Sequence, residues 1–134
     1  MKNKNLIDEV LKLLSKRDYS EKEIIEKIPL MPSSILNKLK KEKLIDDFSL
    51  SEKIAESLKN KGKGYFYILK QLEKRKINDN VIEKFKKEYD FVDELERCKK
   101  LVEKLKNKKT SAIIMNLKSR GFPDEIIEKV IEIK

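Results

Sequence analysis

The amino-acid sequence predicts an all-α protein, built from three tandem three-helix repeats that stack into an elongated, slightly curved array. The chain of 134 residues has only three glycines and three prolines, and it is rich in Lys, Glu, Leu and Ile, a composition that favours helices. Apolar residues recur at steps of three and four, which is the period of an amphipathic helix. This pattern returns about every 45 residues, and a steady period of that length indicates stacked helical repeats.

Each repeat is expected to contain three helices, recognised by their apolar residues. The first helices carry Leu6, Val10 and Leu14, then Leu50, Ile54 and Leu58, then Leu95, Cys98 and Val102. The second helices carry Ile24, Ile25 and Ile28, then Ile68, Leu69 and Leu72, then Ile113, Ile114 and Leu117. The third helices carry Ile35, Leu36 and Leu39, then Val81, Ile82 and Phe85, then Ile126, Ile127 and Val130. The repeats are expected at about residues 1–47, 48–92 and 93–134, in a single domain whose small units share core with their neighbours.

Polar residues and glycine mark where several helices begin. Ser20 followed by Glu23 is a capping-box pattern at the second helix of the first repeat. Asp46-Asp47 and Asp93-Glu94 place negative charge at the N-termini of the helices that open the second and third repeats. Gly64 marks the break before the second helix of the middle repeat.

Positive charge is concentrated in the middle of the chain. The net charge of +9 is typical of a protein with an anionic partner, such as nucleic acid or a nucleoprotein. From Lys59 to Lys76, seven basic residues stand against Glu73 alone. A lysine-rich surface with no specific partner would also give a high total charge. The concentration of the charge is therefore more informative than its total.

Four residues on the second helix of the middle repeat fall on one face, at steps of four, three and four. They are Lys63, Tyr67, Lys70 and Lys74. Tyr65 is expected on the opposite, buried side of this helix. Such a face could bind phosphate groups, with Tyr67 stacked on a base or on a partner side chain. The alternative is a solvated face on which Tyr67 covers the lysine stems.

The composition argues against an enzyme. The chain has no His and hence no imidazole base or ligand, and Gly62-Lys63-Gly64 lacks the strand and the spacing of a phosphate-binding loop. Cys98 lies on the apolar stripe with Leu95 and Val102, as a core residue does, so no catalytic, cofactor or metal site is expected. With a single cysteine and no apolar run of membrane-spanning length, the sequence indicates a cytoplasmic protein.

An ordered set of motifs resembles the RecX family of regulatory proteins. The motifs are Leu44-Ile45-Asp46-Asp47, Lys61-Gly62-Lys63-Gly64, the stretch from Ile68 through Leu72 to Ile77, and Arg120-Gly121-Phe122 before a closing helix. The resemblance covers essentially the whole chain, which would be a divergent member. The family usually has Phe-Ala at Leu50-Ser51, a basic residue at Leu58, Pro at Tyr65 and Gly at Lys76. The last departure would place a lysine in a left-handed backbone position.

The resemblance implies a regulatory function. RecX proteins bind the filament that the RecA recombinase forms on single-stranded DNA, lie in its groove, and inhibit its ATPase and strand exchange, thereby modulating recombination and DNA repair. The implied partners are the RecA filament and single-stranded DNA, contacted directly or through the filament, and the protein is expected to be a monomer. The expected contact residues are Lys59, Lys61, Lys63, Tyr67, Lys70, Lys74 and Arg75, followed by Lys99, Lys100, Lys106 and Lys108.

The alternative is a stand-alone basic helical protein that binds nucleic acid in the manner of a helix-turn-helix protein. Its recognition helix would lie in the major groove of DNA. No repeat has the Arg-, Asn- or Gln-rich helix face that reads base edges. This absence favours the RecX-like function.

Overall fold

The computed structural model describes residues 2–131, with side chains from residue 5 onward. Within this range the chain forms nine α-helices and no strand, which confirms the predicted fold class. The helices are α1 (Lys2–Leu14), α2 (Glu21–Lys27), α3 (Ser33–Lys41), α4 (Asp47–Asn60), α5 (Tyr65–Lys74), α6 (Asp79–Glu88), α7 (Phe91–Leu105), α8 (Thr110–Ser119) and α9 (Asp124–Ile131). We refer to α1–α3 as unit one, α4–α6 as unit two and α7–α9 as unit three. No helix in this range is both long enough and apolar enough for a bilayer span.

Each unit has its own buried apolar cluster. Prominent buried members are Val10 and Ile24 in unit one, Ile68 and Leu72 in unit two, and Cys98 and Leu117 in unit three. All of these residues lie at positions that the helical periodicity assigns to the core. The clusters are separate, however, so the expectation of a core shared between neighbouring units was wrong for the buried residues. Polar side chains, backbone groups and partly exposed aromatic rings join the units instead.

The helix starts follow local capping signals. At α2, the Ser20 hydroxyl accepts a hydrogen bond from the N–H of Glu23 at 3.2 Å, and the Glu23 carboxylate accepts one from the N–H of Ser20 at 2.9 Å. This is the predicted capping box. At α7, the Asp90 carboxylate accepts a hydrogen bond from the N–H of Asp93 at 2.9 Å, so the helix begins at Phe91. The repeat boundary that we propose at 92/93 therefore falls in the first turn of α7.

Lys76 adopts the left-handed conformation that its position in the chain requires. Its φ is +57°, and the N–H of Ile77 donates to the carbonyl of Leu72 at 3.1 Å. This bond closes the C-terminus of α5 in the manner of a Schellman motif. The prediction that this lysine adopts a left-handed backbone conformation is thus confirmed. For a residue with a Cβ atom, this conformation costs roughly 1–2 kcal/mol of folding free energy.

Candidate interaction surface

The N-terminus of α5 is held by unit three. The N–H of Gly64 donates to the carbonyl of Arg120 at 2.8 Å, and the N–H of Phe66 donates to the carbonyl of Gly121 at 2.9 Å. Between them, the N–H of Tyr65 donates to the Glu94 carboxylate at 2.8 Å. The first N–H groups of a helix have no partner within the helix itself. The turn between α8 and α9 and one side chain of α7 therefore complete the N-terminus of α5.

All three glycines of the chain lie at this junction between units two and three. A Cβ atom on Gly64 would lie 2.8 Å from the backbone nitrogen of Phe122, and one on Gly121 would lie 2.4 Å from the backbone nitrogen of Tyr67. Gly121 and Gly62 also have positive φ values of 90° and 79°, which other residues rarely adopt. The two backbones thus approach too closely for a side chain at Gly64 or Gly121.

Glu94 connects α5, α6 and α7 from a fully buried position. Its carboxylate accepts hydrogen bonds from the N–H of Tyr65, from the hydroxyl of Tyr89 and, at 2.6 Å, from the guanidinium of Arg97. Burial raises the pKa of Glu94, while the three donors act in the opposite direction. Burial and the Glu94 carboxylate also raise the pKa of Tyr89, which therefore stays a neutral donor. Arg97 extends the network by donating to the carbonyl of Lys63 at 2.9 Å.

The C-terminal end of α5 is held by unit one through ion pairs. Arg75 donates from Nε to Glu23 at 3.1 Å and from Nη2 to the carbonyl of Asp18 at 2.8 Å. The next residue, Lys76, pairs with Glu26. Burial by itself would raise the pKa of Glu23, but the hydrogen bond from Arg75 and a backbone N–H donor outweigh it and lower that pKa below 4.5.

Asp47 adds a link between units one and two. It is the first residue of α4, and its two carboxylate oxygens accept hydrogen bonds from the N–H of Glu21 at 2.9 Å and from the N–H of Asn78 at 2.7 Å. Asp47 and Glu94 therefore have the same role, because each lies in the first turn of its unit and caps the second helix of the preceding unit. The sequence analysis assigned the charges of Asp47 and Glu94 to the N-termini of their own helices. In the structure, Asp46 is the residue that caps α4.

Between these two fixed ends, α5 presents lysines to solvent. Lys70 and Lys74 are exposed. The prediction that Lys63 lies on this helix was wrong, because α5 begins at Tyr65 and Lys63 precedes it. The ammonium nitrogen of Lys63 is nevertheless 4.4 Å from the centre of the Tyr67 ring. This cation–π contact joins Lys63 to the predicted set. We refer to Lys63, Tyr67, Lys70 and Lys74 as the lysine face.

The other predicted contact residues of unit two differ in their availability. Lys61 is exposed. Lys59 is half-buried, with its ammonium nitrogen 5.1 Å from the centre of the Tyr89 ring. Arg75 is engaged with Glu23, so its guanidinium group holds the junction with unit one. The side chain of Lys61 is therefore accessible to a partner, whereas a partner could bind Arg75 only by competing with Glu23.

The predicted contact residues of unit three lie on α7 and on the turn that follows it. Lys99 forms an ion pair with Glu96 at 3.5 Å. Lys100, Lys106 and Lys108 are exposed. These four lysines belong to a different unit from the lysine face, and their contact with a partner stays a prediction.

An aromatic cluster beside the lysine face was missed by the sequence analysis. The ring of Tyr65 lies at its centre, 5.1 Å from the rings of Phe66 and Phe91, 4.9 Å from Tyr89 and 5.8 Å from Phe85. Phe66 is 55% exposed and Phe91 is 41% exposed. The available signal was the concentration of aromatic residues in 65–67 and 85–91. Helical periodicity does not reveal this cluster, because it relates Tyr65 only to residues of its own helix and not to aromatic residues of other helices.

The described residues gather no set of groups suited to metal binding. Over residues 2–131, no three acidic or cysteine side chains come together in a way that could hold a metal ion. Cys98 is fully buried in the core of unit three, as predicted. Burial raises the pKa of its thiol to about 11, whereas a reactive cysteine needs a lowered pKa.

Comparison of the sequence and the fold with known proteins finds similarity to RecX proteins. No family model matches the chain. The chain is 28% identical over 143 residues to the regulatory protein RecX of Geobacillus sp. (strain WCH70), in an alignment that covers 96% of the chain and 53% of that relative. It thus spans about half the length of the relative.

Two solved structures share the fold. The crystal structure of RecX from Lactobacillus salivarius superposes with a TM-score of 0.83 and 27% identity, covering 97% of this chain and 94% of that one. A second crystal structure, of a regulatory protein RecX, superposes with a TM-score of 0.76 and 23% identity, covering 98% and 73% of the two chains. The second likeness supports the fold alone.

Proposed function

We propose that the chain, which is similar to RecX regulatory proteins over nearly its whole length, is a member of that family and binds the RecA filament on single-stranded DNA. In this proposal, binding inhibits the ATPase of RecA and strand exchange, and the protein itself hydrolyses no ATP. The partner presents an anionic surface, either DNA phosphate or acidic side chains of the recombinase. The action is steric and electrostatic, because the array would bridge recombinase subunits.

The lysine face is the observation that carries the proposal. Its cations are not neutralised within the described chain: Lys70 and Lys74 are exposed, and Lys63 contacts an aromatic ring and not a carboxylate. A carboxylate-rich or phosphate-rich partner would therefore find unpaired positive charge there. Counterion release from such contacts favours binding to DNA and makes it sensitive to salt.

The rigid support of α5 strengthens this argument. Its N-terminus is fixed to unit three by backbone hydrogen bonds from Gly64 and Phe66, and its C-terminus is fixed to unit one by Arg75. Association is opposed by the entropy of ordering the groups that bind. A helix that is already fixed at both ends loses little backbone freedom when it binds, so more of the interaction energy contributes to affinity.

The test of the proposal is the ATPase of the cognate RecA on single-stranded DNA with this protein added. Slower hydrolysis at near-stoichiometric protein is expected, with no hydrolysis by the protein alone. Unchanged hydrolysis at a large excess would refute the proposal. Equally tight binding to naked double-stranded DNA without an effect on RecA would instead favour the stand-alone DNA-binding function.

Replacing Lys63, Lys70 and Lys74 with Ala is expected to weaken filament binding and to reduce its salt dependence. If all three contact phosphates of a single strand, the slope of log K against log salt falls by about 2. The melting temperature should stay close to that of the wild type, because exposed charges contribute only about 0–1 kcal/mol. Binding is measured by fluorescence anisotropy across a salt series.

A triple variant of unit one is the matched control. Lys12, Lys16 and Lys38 are also exposed. Their replacement with Ala removes three positive charges, as many as in the lysine-face variant, from another part of the array. We expect this control to keep most of the affinity and the salt slope. Equal losses in the two triple variants would show that only the total charge matters, and wild-type affinity in both would show that the lysine face is solvated surface.

A further inference from the structure

A groove lies beside the lysine face, where α5 meets unit three. It has a volume of about 740 Å³, and its apolar wall includes Phe66, Phe91, Phe122 and Ile126. Phe122 and Ile126 are buried members of the core of unit three, whereas Phe66 and Phe91 expose about half of their surface. The groove therefore has a rigid apolar floor with two accessible aromatic rings at its edge.

The exposed ring of Phe66 is not needed for the junction. Its contact within the cluster is an edge-to-face approach to Tyr65, with ring centres 5.1 Å apart. The junction itself is held by the N–H of Phe66, which donates to the carbonyl of Gly121, and by the buried Glu94. An exposed aromatic side chain with little structural role is typical of protein interaction sites.

The charges around the groove are balanced. Lys118 and Lys129 face Asp124 and Glu125 among the lining residues, and Lys118 pairs with Asp124 at 3.8 Å. A nucleic-acid strand would gain no net attraction there, because its phosphates would meet as many carboxylates as ammonium groups. A neutral apolar group of a protein meets neither repulsion nor a cost of removing phosphate from water. The charge balance thus selects protein as the occupant.

Phe66 also connects the groove to the lysine face. Lys70 follows Phe66 by four residues on α5, and residues with this spacing are neighbours on a helix surface. We propose that the groove receives an apolar side chain of the recombinase subunit whose acidic surface the lysine face binds. This inference rests on the proposed function and adds a second, apolar contact to it.

The test is the variant Phe66→Ala in the full chain. We expect filament binding to weaken tenfold or more, as for an aromatic side chain at the centre of an interface, with the salt slope unchanged because no charge is removed. Binding to naked single-stranded DNA should stay at the wild-type level. Met115→Ala is the matched control, because Met115 is 68% exposed on α8 and does not line the groove, and it should bind the filament like the wild type.

The other outcomes identify what the groove does instead. Wild-type filament affinity in Phe66→Ala would refute this inference and leave the proposed function intact. An equal loss of binding to naked single-stranded DNA would overturn it in favour of a nucleic-acid strand, and a self-association of the wild type that Phe66→Ala abolishes would overturn it in favour of a second copy. A wild type that does not bind the filament would refute the proposed function and this inference together.

Discussion

Gly64→Ala is expected to destabilise the protein by about 2 kcal/mol through the junction of units two and three. Gly64 has φ −105° and ψ −178°, a conformation open to alanine, so backbone strain at this residue is not the cause. The added Cβ atom would lie 2.8–2.9 Å from three backbone atoms of Gly121 and Phe122. Backbone atoms cannot move aside as the end of a flexible side chain can. The two units must therefore separate.

The expected magnitude combines three contributions. Overpacking at a close contact costs about 1–3 kcal/mol. Separation also lengthens the hydrogen bonds that Gly64 and Phe66 donate to unit three, each of which contributes about 0.5–1.5 kcal/mol. The lower entropy of alanine in the unfolded chain returns about 0.4–1 kcal/mol. A net loss of about 2 kcal/mol lowers the melting temperature of a domain of this size by about 7 °C.

Thermal unfolding followed by far-UV circular dichroism measures this loss. Lys109→Ala is the matched control, because Lys109 precedes α8 as Gly64 precedes α5, is exposed, and forms no side-chain capping bond. We expect the control to stay within about 0.5 kcal/mol of the wild type. A melting temperature for Gly64→Ala at or above that of the wild type, or an equal decrease in both variants, would refute the close backbone approach.

Two further predictions concern carboxylates that hold the junctions, the buried Glu94 and the partly buried Glu23. Glu94→Gln should cost about 3 kcal/mol in urea denaturation, because it leaves the guanidinium of Arg97 without its buried partner. Glu103→Gln, which makes the same change at an exposed position of α7, is the control. Glu23 has a pKa lowered below 4.5, so its stabilisation is complete above about pH 5 and is lost as the pH falls through its folded-state pKa. Glu23→Gln should therefore reduce the loss of stability as the pH falls below about 5, and an unchanged dependence of stability on acid pH would contradict this.

The helices could be predicted because their signals are local. Core positions such as Ile68 and Leu72, and the capping box at Ser20, depend only on residues within about one turn. The junctions could not be predicted in this way, because the N–H of Tyr65 and the carboxylate of Glu94 are 29 residues apart. One signal did exist. Glu94 precedes Cys98 by four residues on the apolar stripe of α7, and a carboxylate at such a position must find buried partners.

Each junction of unit two contains a carboxylate that caps a helix of the preceding unit, Asp47 at one and Glu94 at the other. The remaining interactions of the two junctions differ, and this affects how salt acts on the lysine face. At the C-terminal end of α5, the pairs Arg75–Glu23 and Lys53–Asp18 remain partly exposed, so salt weakens them. At the N-terminal end, backbone hydrogen bonds and the buried Glu94 are nearly insensitive to salt. A decrease in partner binding with salt therefore has two sources, which are lost contacts of the lysine face and a looser junction with unit one. In the control triple variant of unit one, salt still acts both on the contacts of the lysine face and on the junction with unit one. In the variant of the lysine face, salt acts only on the junction. The difference between the salt slopes of the two variants therefore measures the contacts made by the lysine face.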